Sequence, residues 1–258
     1  MSTVLYPSPI FGPVHSRRLG ISLGINLMPA DGKICNFDCI YCECGFNKDF
    51  RTTSKRPSRQ IVYNELEKTL TKMISNGQRP NVLTFAGNGE PTAHPHFKEI
   101  IEDTIALRNK FCPESKVSVL SNATLINRQN VFDALMRVDN NILKLDTVNI
   151  NYIRTTNRPL PGYNVEKQIE YMKKFNGHCI IQTMFMKGSI NNIDVNNVKP
   201  EYIEPWLEAV ACIKPQQVMI YTIDRETPYK NLFKATKEEL DNIVRQIEQL
   251  GIPASASY

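Results

Sequence analysis

No stretch of the 258 residues approaches the roughly 18–20 uninterrupted apolar residues that a helix needs to cross a bilayer, which argues against a helical membrane protein. Nor does the start carry a secretory apolar run. Pro7, Pro9 and Pro13 interrupt it, and the short stretch after Arg17 and Arg18 has no small-residue cleavage site. There is no internal repeat and no low-complexity linker. Neither sign of charge dominates: 31 Lys and Arg face 26 Asp and Glu, a formal charge of +5. Hydrophobic (41%) and charged (22%) fractions fall in the ordinary globular range, which excludes extensive disorder. Cysteine is sparse and uneven. Four of seven (Cys35, Cys39, Cys42 and Cys44) lie within ten residues, while Cys112, Cys179 and Cys212 are scattered. An odd, clustered set is not the disulfide framework of a secreted protein, so the expected compartment is the cytoplasm, with no membrane partner. The scattered three are expected to be buried core thiols.

What is present is an alternation of short β-rich runs with amphipathic segments. Strands are expected over 19–27, 82–86, 116–120, 142–150, 178–186 and 217–223. Helical stripes follow: Val62, Leu66, Leu70 and Ile74 closed by Gly77; Phe97, Ile101 and Ile105; Val165, Ile169 and Met172; Ile203, Trp206, Leu207 and Val210. The last stripe runs from Leu240 to Leu250, opened by a Thr236/Glu239 capping box and stopped by Gly251. Six strand-then-helix units with apolar strands predict an α/β fold, a parallel sheet with outer helices. An open doubly wound sheet and an incomplete α/β barrel both fit; a full barrel asks for eight units. Six units predict one domain spanning 1–258, with its core over about 19–250. In either architecture function gathers at the C-terminal strand ends.

There, after the first strand, stands Cys35-Asn-Phe-Asp-Cys39-Ile-Tyr-Cys42-Glu-Cys44. By spacing, four readings stand. A thioredoxin-like pair leaves Cys35 and Cys44 idle. A four-cysteine zinc site asks for two separated knuckles, and Cys42-x-Cys44 is cramped. A four-thiolate cluster is coordinatively closed. A [4Fe–4S] cluster on three thiolates, Cys35, Cys39 and Cys42, leaves one iron open to a chelating molecule. After the second strand, Gly87-Asn88-Gly89-Glu90-Pro91-Thr92 is a glycine-rich turn, and without a following Lys-Ser/Thr it is not a P-loop. The third strand ends in Ser121-Asn122, residues that also cap turns. Lys144 and Asp146 share a face of the fourth by period two. His94-x-His96 reads as a solvated helix start, not a metal pair.

Cys35-x₃-Cys39-x₂-Cys42 with aromatic Tyr41 resembles the signature of the radical S-adenosylmethionine (SAM) superfamily. The resemblance implies a partial (β/α)6 barrel and two cofactors, a [4Fe–4S] cluster and SAM. Reductive cleavage of SAM then yields a 5′-deoxyadenosyl radical that abstracts hydrogen from a substrate. It implies an external electron donor of flavodoxin or ferredoxin type, and cofactor contacts from Tyr41, Asn88, Gly89, Glu90, Ser121, Asn122, Asp146 and Gln182. The Glu90 segment stands where the family receives the SAM ammonium group. Phe11 to Gly20, Thr156-Asn-Arg-Pro159 and Tyr221 to Arg225 further resemble stand-alone proteins related to the wyosine tRNA-modification (4-demethylwyosine synthase-like) enzymes. That likeness implies a catalytic role for Lys144 and substrate contacts from Arg158, Asp224 and Arg225. No cysteine precedes Cys35, so the second cluster of that group has no ligands there. The loop from Phe46 to Arg59 carries five basic residues and two aromatics, a pattern that grips RNA phosphates and a base, with Arg17 and Arg18 expected nearby. The sequence leaves the substrate open, a tRNA nucleoside being the candidate that this loop offers. The alternatives are a non-catalytic zinc or iron–sulfur module docking on RNA or protein, and a glycyl-radical-type activase.

Overall fold

The computed structural model describes residues 4–16 and 20–258; Arg17 and Arg18, expected beside the basic loop, lie outside the described residues. In chain order the strands are β1 (Ile10–Ser16), β2 (Gly20–Ile25), β3 (Val82–Phe85), β4 (Lys116–Ser121), β5 (Asn140–Lys144), β6 (Ile180–Met184), β7 (Met186–Ile190), β8 (Ile193–Asp194), β9 (Gln217–Tyr221), β10 (Leu232–Lys234) and β11 (Ala254–Ser257). The helices are α1 (Arg59–Ser75), α2 (Phe97–Phe111), α3 (Gln129–Leu135), α4 (Ile150–Thr156), α5 (Val165–Lys173), α6 (Pro200–Ile213) and α7 (Lys237–Gln249).

Eight strands form one sheet in the order β1-β2-β3-β4-β5-β6-β9-β11. Every pair is parallel except β1 with β2. All six expected strands and five expected helices are present, and helices connect each parallel strand to the next. The sheet curls but does not close, because β1 and β11 are both edges. It is the partial barrel that the resemblance implied.

Period two divides the strand residues between two surroundings. Leu23, Ile25, Leu83, Phe85, Val117, Val119, Leu143, Ile181, Val218 and Ile220 point outward and share one buried core with the helices. Each such side chain contributes about 1.5–3 kcal/mol by leaving water. Ser22, Gly24, Thr84, Leu120, Ile142, Gln182 and Met219 instead line a lumen cavity of about 480 Å³. The inner wall is thus small and partly polar, and it leaves room that the outer face does not. At the helix starts, Ser58 accepts from the Ile61 N–H to open α1, and the capping box of Thr236 and Glu239 opens α7.

Several features depart from expectation. β1 was not expected, because Gly12 and Pro13 break its apolar pattern; β11 was not, because Ala-Ser-Ala-Ser lacks large β-formers. The strand expected over 142–150 stops at Lys144, and Asn149 accepts from the N–H groups of Asn151 and Tyr152 to start α4. β7, β8 and β10 form a separate antiparallel sheet beyond β6 and β9. Cys112 and Cys179 are buried, but Cys212 is exposed. His94 is buried, not solvated. Its Nε2 lies 2.9 Å from the Pro57 carbonyl, and its Nδ1 accepts from the His96 N–H at 3.2 Å.

Candidate active site at the cysteine loop

The connection from β2 to α1 runs over the C-terminal strand ends and carries the cysteines. Its path is set by backbone pairing with distant segments. Ile34 donates to Asn88 O and accepts from Glu90 N–H, both at 3.0 Å, in a one-residue parallel bridge to Gly89. Gly89 holds φ +139°, and a Cβ there would come within 1.9 Å of Ile34 O, so only glycine lets the loop dock. On the other side, Asp38 and Ile40 donate to Asn157 O and Thr156 O at 2.8 and 2.9 Å. Asn47 closes the turn: its amide donates to Cys35 O and Phe37 O at 3.2 and 3.1 Å.

Within this frame Cys39 is buried, Cys35 and Cys42 are half-buried, and all are free thiols. Among the described residues no group of three His, Cys, Asp or Glu side chains converges on a point that would hold one metal ion. A [4Fe–4S] cluster asks for something else, spaced sulfurs that each take a different iron. The surroundings suit such a group. Lys33 is buried, donating to Gly45 O at 2.6 Å and lying 3.4 Å from Asp38. Burial opposes its charge, yet Cys42, Cys35, Cys39 and Asp38 outweigh that and hold it firmly protonated. Burial pushes the Cys35 thiol up to about 12, aided by Glu90 and opposed by Lys33. Burial also raises Cys39, against the pull of Lys144. Cys42 goes the other way, to about 6, because Cys44 donates to it and Lys33 is near. Thiols that take a metal shed their protons on binding it.

Around the loop the site residues fall into three groups. The first centres on Asp146, whose Oδ2 accepts from Tyr41 Oη, from Asn157 Nδ2 at 2.8 Å and from Lys144 Nζ at 3.1 Å. Its Oδ1 accepts from Met184 N–H at 3.0 Å. Lys144 also lies 4.9 Å from the Tyr41 ring centroid. Burial works against its charge, but Asp146 prevails and raises its pKa, which favours the ammonium form.

The second group is Glu90, Ser121 and Asn122. Glu90 is 2% exposed, and its carboxylate accepts from Thr92 N–H and Oγ1, Ser121 Oγ and Asn122 N–H, at 2.5–3.0 Å. Burial still pushes its carboxyl above the ordinary range. It brackets the ends of β3 and β4 together. Asn88, behind it, has its amide engaged by Tyr6 N–H, Tyr6 O and Pro29 O, which anchors the N-terminal segment.

The third group lines the way in. Gln182 sits on the lumen wall; Cys42, Glu43, Cys44, Asp224 and Arg225 ring its upper part. Arg225 donates to Glu43 at 2.7 Å and to Tyr6 Oη at 2.9 Å, and Lys234 lies 3.7 Å from Asp224. Arg158 stands apart, clamped 5.3 and 5.1 Å from the Phe46 and Tyr229 ring centroids. Of the basic loop's two aromatics, Phe46 is therefore buried and not offered to a base, while Lys48, Arg51 and Lys55 remain exposed. Arg59 pairs with Asp103 at 2.7 Å. Two residues at the site were not singled out from sequence, Asn157 and Lys33. Asn157 lay in the Thr156–Pro159 segment that carries the resemblance, which was the available signal; Lys33, two residues before Cys35, carried none.

A family model described as the radical SAM superfamily matches residues 31–195. A protein named GTPase Obg from Brachyspira hyodysenteriae is 28% identical over 243 residues, 93% of this chain and 33% of that protein. A UPF0026 protein of Helicobacter pylori strain J99 is 32% identical over 241 residues, 92% of this chain and 71% of that protein. The chain thus spans about a third of the first of these relatives. A solved structure of TYW1 with a lysine–pyruvate adduct bound has a TM-score of 0.63 at 13% identity, covering 88% of this chain and 73% of that one. At that identity the likeness is one of fold. Among the described residues no helix is long and apolar enough to cross a membrane.

Proposed function

The chain belongs to the radical SAM superfamily, whose members bind a [4Fe–4S] cluster and SAM, and we propose that it is a radical SAM enzyme acting on an RNA nucleoside. The carrying observation is that Cys42 stands in the wall of the 480 Å³ lumen cavity, with Cys35 and Cys39 on the same loop. Cys35, Cys39 and Cys42 would hold the cluster, and SAM would lie in the lumen below it. Held by these three cysteines, the cluster would supply the electron for reductive cleavage of SAM, and SAM would supply the radical chemistry that takes hydrogen from the substrate.

The chain's own residues do the rest. Lys33 offsets the negative charge of three thiolates. Asp146, Asn157 and Tyr41 fix the loop to β5. Gln182 and the Ser22–Thr84 hydroxyl pair, 2.8 Å apart, offer polar contacts beside the apolar side chains of Leu120, Ile142 and Met219, which would keep water from the reacting carbon. Lys144, held as an ammonium, would place an anionic group of the substrate. Exposed Lys48, Arg51 and Lys55 on the cysteine loop support RNA, and a flavodoxin or ferredoxin would deliver the electron. Seven unbridged cysteines suit the reducing cytoplasm.

The test is anaerobic reconstitution with iron counting, followed by assay of 5′-deoxyadenosine with SAM and a reductant. The expected result is close to four irons per chain, with formation stimulated by bulk tRNA. Stimulation by a small-metabolite pool and not by RNA sinks the substrate assignment; a protein that takes up one zinc and no cluster sinks the enzyme.

A further inference from the structure

Resting on the cluster assignment, we propose that Asn122 and Asn157 set the reduction potential of that cluster, each by donating a side-chain N–H to one of its cysteine sulfurs. Asn122 Nδ2 lies 3.5 Å from Cys35 Sγ, and Asn157 Nδ2 lies 3.5 Å from Cys39 Sγ. The orientation of both amides follows from their other partners. Asn122 Oδ1 accepts from Thr124 N–H and Oγ1, at 3.0 and 2.7 Å, so the opposite end, toward the sulfur, is the NH₂. Asn157 Nδ2 lies 2.8 Å from a carboxylate oxygen of Asp146, which only accepts. Both side chains are buried, at 9% and 2% exposure, so water does not compete for these hydrogens.

The electrostatic consequence has a definite sign. An N–H pointing at a thiolate stabilises electron density on that sulfur, and the reduced cluster carries one electron more than the oxidised one. Both bonds therefore favour the reduced form and raise the potential. The two differ in strength. Asn122 gives its N–H to Cys35 alone, whereas the two hydrogens of Asn157 serve Cys39, Tyr41 Oη at 3.0 Å and Asp146. Asn122 is the stronger tuner, and Asn157 also holds Tyr41 and Asp146 in place. The two asparagines come from the ends of β4 and α4, so each ties a different wall of the barrel to a different iron.

The measurement is an EPR-monitored redox titration of the reconstituted cluster without SAM, with iron counted in the same samples. Asn122→Ala is expected to lower the reduced-to-oxidised ratio at fixed potential by about tenfold, equivalent to about 59 mV for one electron. Asn157→Ala shifts it less in the same direction, and the double variant sums the two because the sulfurs differ. Asn47→Ala separates tuning from scaffolding: its amide holds the loop through backbone carbonyls only, so it is expected to weaken iron retention and leave the potential alone. Should a variant fail to keep iron, pulsed EPR on wild-type protein labelled with ¹⁵N-asparagine replaces it, and a weak coupling to amide nitrogen is expected. An unchanged potential with iron retained, or no ¹⁵N coupling, overturns the proposal while leaving the cluster assignment standing. Absence of any cluster in the wild type overturns the assignment itself.

Discussion

The cysteine-loop rim and the α7 edge of the same sheet are built on opposite principles. Along α7, Leu240, Ile243 and Ile247 are all at most 1% exposed and meet the core by 3.6-residue periodicity alone. At the rim, the path of the loop is fixed by residues far away in the chain: Asn88 for Ile34, Asn157 for Asp38, Thr156 for Ile40. One region is held by area removed from water, which tolerates approximate shapes. The other is held by directional bonds among buried polar groups, which tolerate little. Changes at the rim are therefore expected to damage the chemistry with little cost in global stability, and changes along α7 to do the reverse.

The largest effect separates the two most sharply. Cys39→Ala removes a proposed ligand, and 5′-deoxyadenosine formation is expected to fall by more than the 10–100-fold, on the order of an outer-shell change. The thermal midpoint of the metal-free chain, read by the fluorescence of its one tryptophan, should stay near the wild-type value. A Cys39→Ala chain that retains iron and turnover would falsify the ligand assignment. Gly89→Ala comes next. The added Cβ meets Ile34 O at 1.9 Å at a φ of +139°, so the loop must lift from the turn that follows β3. Iron retention is expected to drop severalfold although no ligand is touched; full retention would mean that the docking bridge is dispensable.

These two positions also show what was legible beforehand. The cysteine spacing, six of the seven parallel strands and the five longer helices were readable because each is a local signal, a count along the chain or a period. Lys144 and Asp146 were placed together by the same period-two rule, and they are 3.1 Å apart. What local signals do not carry is pairing. Nothing near Asn88 announces that its amide is consumed by Tyr6, 82 positions earlier, or that Glu90 spends its carboxylate on Ser121 and Asn122. Likewise Phe46 reads as a base-stacking aromatic until Tyr229 and Arg158 are seen packed on it. β1 and β11 escaped notice for a related reason. An edge strand with Gly12 and Pro13, or one made of Ala and Ser, is recruited by its neighbour, not by its own preference.

The converse side of the comparison is tested at Leu240, fully buried on α7. Leu240→Ala is expected to cost about 2–5 kcal/mol in urea unfolding, set by how far the cavity left behind collapses. The potential and iron content of the folded fraction should not move. If the cluster changed in step with stability, the two regions would be one cooperative network and the contrast drawn above would fail.

The smallest effect tests the α7 edge from its polar end. Glu239 accepts from Thr236 N–H at 2.6 Å and pairs with Lys187 of β7 at 3.0 Å. Partial burial works to raise its carboxyl, but the Thr236 bond and Lys187 outweigh it, and the net shift is downward from the ordinary 4.5. A carboxyl lowered in the folded state adds stability that is fully present above the unfolded value and is lost as pH falls through the folded one. Both partners are about a third exposed, so screening keeps the contribution near 0.5 kcal/mol. Glu239→Gln preserves the capping bond and removes the charge. At neutral pH it should unfold slightly earlier in urea than wild type, and the two curves should converge as pH falls through the lowered folded value and the wild-type carboxyl protonates. A gap that persisted in acid would place the contribution in the cap's shape and not in its charge.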